Sequence, residues 1–301
     1  MALPSTPARP FGAVLTAMVT PMTPDGSIDL DAAVRVAKRL VDDGNDGIVL
    51  NGTTGESPTT HAPEKQDLVA AVVDAVGDRA AVVAGACSND TEHAIRMAVQ
   101  AAEVGADGLL VVSPYYSRPN QEGLYRHFAT IADSTDLPVM LYDIPGRAGV
   151  RIAPATYARV AEHERIVATK DATADVYAAM RLADATGLAW YSGDDSLLLP
   201  FLVHGGAGIV SVAGHVLGGR FAEVVARFDA GDVTGALEVF RRSAPVIDAV
   251  NGAGFQAVMI KAVLEVVGLT DNRHLRLPNV GATDAEVDLV RAALEAAGLA
   301  P

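Results

Sequence analysis

The chain has 301 residues, half of them hydrophobic and a fifth charged, which excludes a disordered protein and allows one large barrel or two ordinary domains. A net charge of −14 argues against nucleic-acid binding, whose affinity comes mostly from Lys and Arg neutralising phosphates. The lone cysteine, Cys87, cannot form an internal disulfide. Residues 1–10, with three prolines and no apolar run, read as a short arm rather than a signal peptide, and both features fit a cytoplasmic enzyme.

In chain order, the first apolar run covers residues 13–19 and ends in Thr20-Pro21. An amphipathic segment, 29–42, follows with Leu30, Val34, Ala37 and Val41 near helical spacing, stopping at Gly44. Run two, 47–50, leads into Asn51-Gly52-Thr53-Thr54-Gly55-Glu56-Ser57, and run three, 81–85, into Ala86-Cys87-Ser88-Asn89. A helical pattern over 91–104 stops at Gly105. Run four, 108–112, ends in Ser113-Pro114-Tyr115-Tyr116, and run five, 138–142, in Tyr142-Asp143-Ile144-Pro145-Gly146-Arg147. Run six, 166–169, meets Lys170-Asp171, and a helical pattern over 174–186 stops at Gly187. Run seven, 189–191, precedes Ser192-Gly193-Asp194-Asp195, and run eight covers 208–212.

These runs are short, rich in Val, Ile and Leu, and apolar at alternate and intervening positions alike, as strands covered on both faces should be. Eight of them, alternating with helical patterns, predict an α/β fold: a (β/α)8 TIM barrel over 11–230. Residues 221–228, 233–250, 255–267 and 284–297 read as helices with no strands between, so 231–301 is predicted to be a C-terminal helical extension. A doubly wound sheet is the structural alternative, but no G-x-G-x-x-G follows the first run. Residues 196–219 carry no Asp, Glu, Lys or Arg, yet Pro200, two His and six Gly interrupt them. A buried helix, a turn and a buried strand explain that stretch better than a membrane span.

Barrel enzymes react at the C-terminal ends of their strands. Lysine is scarce, with four copies against nineteen arginines. Lys38 and Lys261 lie in helical patterns and Lys65 near a helix start; only Lys170 closes a buried strand. An amine in such a wall loses solvation of its charged form, and the neutral amine is what attacks a carbonyl to form an imine. An isolated strand-end lysine is more often a structural cap that snorkels to solvent, so its neighbours decide. Thr53 and Thr54, in a glycine-bracketed turn, offer hydroxyls and backbone N–H groups to a carboxylate. Tyr115, Tyr116 and Tyr142 cluster at strand ends, where phenols can pass protons. Arg147 follows a Pro-Gly turn and could clamp a carboxylate with two parallel hydrogen bonds. Taken singly, each has an ordinary role as turn, packing or surface salt bridge. The seven histidines are dispersed, and no metal-ligand cluster, Walker motif or serine elbow is present in the sequence.

Together these stretches resemble the dihydrodipicolinate synthase family across essentially the whole chain. The likeness is carried by Thr16-Ala17-Met18-Val19-Thr20-Pro21, Gly52-Thr53-Thr54-Gly55-Glu56-Ser57, Pro114-Tyr115-Tyr116 through Gln121-Glu122-Gly123-Leu124-Tyr125, Leu141 through Arg147, Lys170-Asp171-Ala172, Ser192-Gly193-Asp194-Asp195 and Gly208-Ile209-Val210-Ser211-Val212. The resemblance implies that Lys170 condenses with pyruvate and that the resulting enamine attacks L-aspartate 4-semialdehyde. It implies that Tyr142, Thr53 and Tyr116 relay protons, Tyr116 coming from a neighbouring subunit. Thr54, Arg147, Gly193 and Ile209 are its substrate-binding positions, with Arg147 on the aldehyde substrate's carboxylate. It also implies a homotetramer built from tight dimers and no metal or organic cofactor.

Two departures stand out. Asp143 replaces the Asn that many members carry after the strand-five tyrosine. Lysine-inhibited members place a histidine and a glutamate around an inter-subunit lysine site, where this chain has Ala62 and His93, keeping Asn89 and Tyr115. Loss of the carboxylate predicts weak or absent inhibition by L-lysine. Two competing readings differ in chemistry: a lyase of the same superfamily acting on N-acetylneuraminate or a 2-keto-3-deoxy sugar acid, and a non-catalytic paralogue. Arg147 and the Tyr115-Tyr116 pair speak against the first, and retention of Lys170, Tyr142 and Thr53 against the second.

Overall fold

The computed structural model describes residues 7–252 and 254–299, so most of the arm expected over residues 1–10 lies outside the described residues. Eight parallel strands close into a barrel in sequence order: β1 (Val14–Ala17), β2 (Gly47–Leu50), β3 (Ala81–Gly85), β4 (Gly108–Val112), β5 (Val139–Asp143), β6 (Ile166–Asp171), β7 (Ala189–Ser192) and β8 (Gly208–Ser211). Helices α1 (Leu30–Asp42), α2 (Ala62–Val76), α3 (Thr91–Glu103), α4 (Gln121–Ala132), α5 (Pro145–Ala148), α6 (Pro154–Val160), α7 (Val176–Thr186) and α8 (Leu198–Val203) connect them. After β8 come α9 (Gly214–Asp229), α10 (Val233–Gly252), α11 (Gln256–Val266) and α12 (Asp284–Ala296). The TIM barrel with a helical C-terminal part is therefore as the sequence led one to expect.

Strand alternation divides the core in two. Leu15, Val49, Val83, Leu110, Met140, Ala168 and Val210 fill the barrel, while Val14, Ile48, Val82, Leu109, Leu141 and Ile209 point outward into the layer packed by the helices. This explains why the strands are apolar at every position and show no period of two.

Three local readings change. In α1 the buried face is Ala33, Val36, Ala37 and Leu40, one step round from the expected stripe, and Leu30 is exposed. Helix α7 starts at Val176, because Ala174 adopts a left-handed φ of 61° and Asp175 caps the helix through Ala178 N. Helix α9 starts at Gly214, seven residues before the expected segment: its glycines are close-approach positions, not loop. A Cβ on Gly218 would lie 2.3 Å from Asn45 Nδ2. Within 196–219 the chain forms α8, a turn and β8 before entering α9, and no described helix is long and apolar enough to cross a membrane.

The C-terminal part grips the turn after β2. Lys261 Nζ on α11 donates to Glu56 Oε1 at 2.5 Å, and Arg276 N donates to Glu56 Oε2 at 3.0 Å. Glu56 has a left-handed φ of 58° and is 1% exposed, so this buried ion pair holds the end of the Thr53–Thr54 turn in an otherwise unfavourable backbone conformation.

Candidate active site

Strand β6 continues through Lys170 and Asp171, which places the lysine inside the sheet rather than after it. Burial alone does not single it out. Lys65 and Lys261 are equally buried, but Lys65 Nζ donates to Ser57 O and Oγ, and Lys261 Nζ to Glu56 and His274 O. Among the described residues Lys170 Nζ is the buried lysine nitrogen that makes no hydrogen bond; it sits 4.5 Å from the centre of the Tyr142 ring. Burial lowers its pKa to about 8, with the Asp195 carboxylate opposing and Arg147 assisting the fall.

Tyr142 pairs in register with Lys170 across β5 and β6, so the two side chains project into the same end of the barrel. Burial pushes its phenol up to about 12, while the adjacent Thr53 hydroxyl and Arg147 pull it down. Thr53 belongs to the turn after β2, and Thr54 beside it is buried. Above them opens a cavity of about 210 Å³ walled by Thr53, Cys87, Val112, Tyr115, Ile144 and Arg147 among others. Arg147 is carried by α5, whose start is set by Pro145, and among the described residues no carboxylate pairs with it. Thr53 and Arg147 wall this cavity, and the register of β5 and β6 brings the amine of Lys170 and the phenol of Tyr142 to the same end of the barrel.

Gly193 sits at the end of β7, where its N–H donates to Asp171 O at 2.7 Å and a Cβ would come within 3.0 Å of that same oxygen. A side chain there would push β7 away from the strand that carries Lys170. Ile209 lies in β8, but its side chain belongs to the outer apolar layer, so only its backbone can face a ligand in the barrel. Tyr116 is not brought to the cavity. It is 91% exposed with a left-handed φ of 69° and projects away from its own barrel, whereas Tyr115 turns inward and lines the wall.

The sequence reading missed two residues. Asp195 is the carboxylate whose charge acts on Lys170; it accepts from Ser211 Oγ, Val212 N, Ala213 N and Asn251 Nδ2, while Asp194 turns away to cap Ser196 N. Burial raises the pKa of this carboxyl, and the hydrogen bonds it accepts oppose the rise without cancelling it. Its acidic neighbour hid it as half of an ordinary Asp-Asp turn. Phe255 lies under Arg147, with the guanidinium carbon 5.3 Å from its ring centre. Nothing in the helical pattern of the C-terminal segment marked it.

Asp143, adjacent to Tyr142, points outward. Its Oδ2 accepts from Ile152 N and Tyr157 OH, both at 3.3 Å, and its Oδ1 is buried without a partner. Burial, with the Asp171 carboxylate in register beside it, raises its pKa to about 7.

Residues 10–297 match the dihydrodipicolinate synthetase family. A protein of Streptomyces coelicolor named 4-hydroxy-tetrahydrodipicolinate synthase 2 is 54% identical over 300 residues, covering 99% of each chain. Among solved structures, a dihydrodipicolinate synthase from Bacillus anthracis superposes with a TM-score of 0.91 at 41% identity, covering 95% of this chain and 98% of its own. One from Cyanidioschyzon merolae with lysine bound gives 0.93 at 38%, covering 97% and 100%.

Proposed function

The chain belongs to the dihydrodipicolinate synthetase family, enzymes that join pyruvate to L-aspartate 4-semialdehyde on the route to diaminopimelate and lysine, and we propose that it performs this reaction through an imine on Lys170. The observation that carries the reading is the state of the Lys170 amine: buried, without a hydrogen bond and with a pKa lowered to about 8. A useful fraction is therefore neutral near pH 7 and able to attack a carbonyl.

The neutral nitrogen adds to C2 of pyruvate. Protonation of the resulting hydroxyl expels water and leaves the iminium. Loss of a proton from C3 gives the enamine, whose carbon attacks the aldehyde of the second substrate. The amino group of that substrate then displaces Lys170 from C2, closing the ring and freeing the enzyme. The iminium itself draws off the electrons at each stage, so the cycle needs no metal or organic cofactor.

Tyr142, beside the amine, and Thr53, beside the phenol, serve as the proton relay, the phenol cycling protons rather than ionising for long given its raised pKa. Thr54 and the neighbouring backbone N–H groups bind the pyruvate carboxylate. Gly193 and Ile209 contribute backbone groups, and Arg147 clamps the carboxylate of the semialdehyde. Tyr116 completes the relay in a partner subunit. Its exposure and outward projection support that role. The assembly we propose is a homotetramer of tight dimers, working in the cytoplasm.

Coupled assays with pyruvate plus L-aspartate 4-semialdehyde, and separately with N-acetylneuraminate and 2-keto-3-deoxy sugar acids, test the substrate. Turnover of the semialdehyde is expected; turnover of the sugar acids alone would overturn the assignment.

A further inference from the structure

Arg147 is fixed at its base by the α5 turn, where its N–H donates to Ile144 O at 3.0 Å, but its exposed guanidinium finds no anion among the described residues. An unpaired arginine at a cavity mouth samples many rotamers, and a clamp that must be reordered for each substrate binds weakly. One contact restrains it: the face of Phe255, 5.3 Å away.

Phe255 occupies the N-cap position of α11 and makes no side-chain cap. Ser, Thr, Asp and Asn are the residues that stabilise that position, so the ring is not there for the helix. It is half-buried against the outer core, which anchors it. The segment before it is tied to the barrel as well. Asn251 Nδ2 donates to Asp195 at 3.2 Å and Gln256 Nε2 donates to Asn251 Oδ1. Asp195 is the carboxylate that acts on Lys170, so the α10–α11 connection touches both ends of the site.

We propose that Phe255 is a positioning residue for the second substrate: its ring holds the Arg147 guanidinium over the cavity, leaving the edge of the fork free for a small carboxylate. The inference rests on the reading of Arg147 as the clamp. Bidentate pairing with a carboxylate runs in the guanidinium plane, so a ring against the guanidinium face leaves that edge free.

Steady-state kinetics on Phe255→Leu, Phe255→Tyr, Arg147→Ala and the Phe255→Leu/Arg147→Ala double variant test this. Leucine keeps the apolar packing but lacks the aromatic face. The KM for L-aspartate 4-semialdehyde is expected to rise about fivefold in Phe255→Leu, the scale of an exposed cation–π contact. The KM for pyruvate and borohydride-trapped pyruvate should stay unchanged. Phe255→Tyr should behave as the parent, and Phe255→Leu should add nothing once Arg147 is gone. An unchanged semialdehyde KM in Phe255→Leu, an equal rise in both KM values, or the same fivefold rise on the Arg147→Ala background would each overturn the proposal. If Arg147→Ala itself leaves the semialdehyde KM unchanged, the clamp reading fails and takes this inference with it. If Arg147→Ala raises it and Phe255→Leu does not, only the role of Phe255 falls.

Discussion

Lys170 Nζ stands 4.5 Å from the centre of the Tyr142 ring, two side chains placed opposite one another by the register of β5 and β6. The ring face favours the ammonium, yet burial outweighs it and the amine titrates near 8. The pair thus keeps the lysine between its two useful states, neutral to attack and charged once it has become an iminium.

That balance predicts a pH profile. The rate of imine formation with pyruvate, followed by rapid quench with borohydride, should rise about tenfold per pH unit below 8 and level off above it. Replacing Tyr142 by Phe should leave the amine in place but lower kcat by two orders of magnitude or more, roughly the worth of a positioned proton relay. A profile flat from pH 6 to 9 would remove the lowered amine pKa from the account.

Asp143 gives a second pH dependence, in stability. Its folded pKa of about 7 lies above the ordinary carboxylate value, so the folded state retains a proton that the unfolded chain releases. The stability this supplies is complete below pH 4 and is lost as pH rises towards 7, at a slope of at most about 1.4 kcal/mol per pH unit. Asp143→Asn carries no charge at any pH. Its urea-unfolding stability relative to the parent should therefore improve from pH 4 to 7 and stay level above 7, and a constant difference across that range would contradict the raised pKa that burial, with the Asp171 carboxylate, gives Asp143.

The Lys261–Glu56 pair is a buried salt bridge at the end of the Thr53–Thr54 turn. Lys261→Met should destabilise the fold by roughly 3–5 kcal/mol, because it leaves a buried carboxylate uncompensated. Lys261→Met combined with Glu56→Gln should recover most of that loss in denaturant titrations. The double variant should still show a raised pyruvate KM, since Glu56 holds the turn after Thr54 in its left-handed conformation.

Inhibition by L-lysine is expected to be weak or absent. The stretch that would meet a cationic ligand offers His93, whose ring lies 3.5 Å from Ser88 Oγ, and Ala62 in place of polar or acidic partners. Half-inhibition well below millimolar L-lysine in the coupled assay would contradict this.

The barrel was legible because strands buried on both faces are apolar at every position and glycines close the helices at residues 44, 105 and 187. Lys170, Thr53, Tyr142 and Arg147 were legible because each closes a strand or a turn at the same end. Asp195 and Phe255 were not. Their roles depend on where β8 and α11 fold back over the mouth, and contacts across 56 residues, as between Asn251 and Asp195, leave no local pattern. The α1 face was misplaced for a related reason: alanines at 33 and 37 carry the buried stripe, and hydropathy drew the eye to Leu30 and Val34. The burial of Lys65 and Lys261 was hidden because their partners, Ser57 and Glu56, only become partners in the folded chain.

The central claim is that Lys170 carries the substrate. Reduction with borohydride in the presence of pyruvate, followed by peptide mass spectrometry, tests it most directly. One pyruvate-derived adduct on the peptide containing Lys170, absent without pyruvate and absent from Lys170→Arg, is the expected result. An adduct on Lys65 or Lys261, or none at all in an enzyme that turns over, would contradict it.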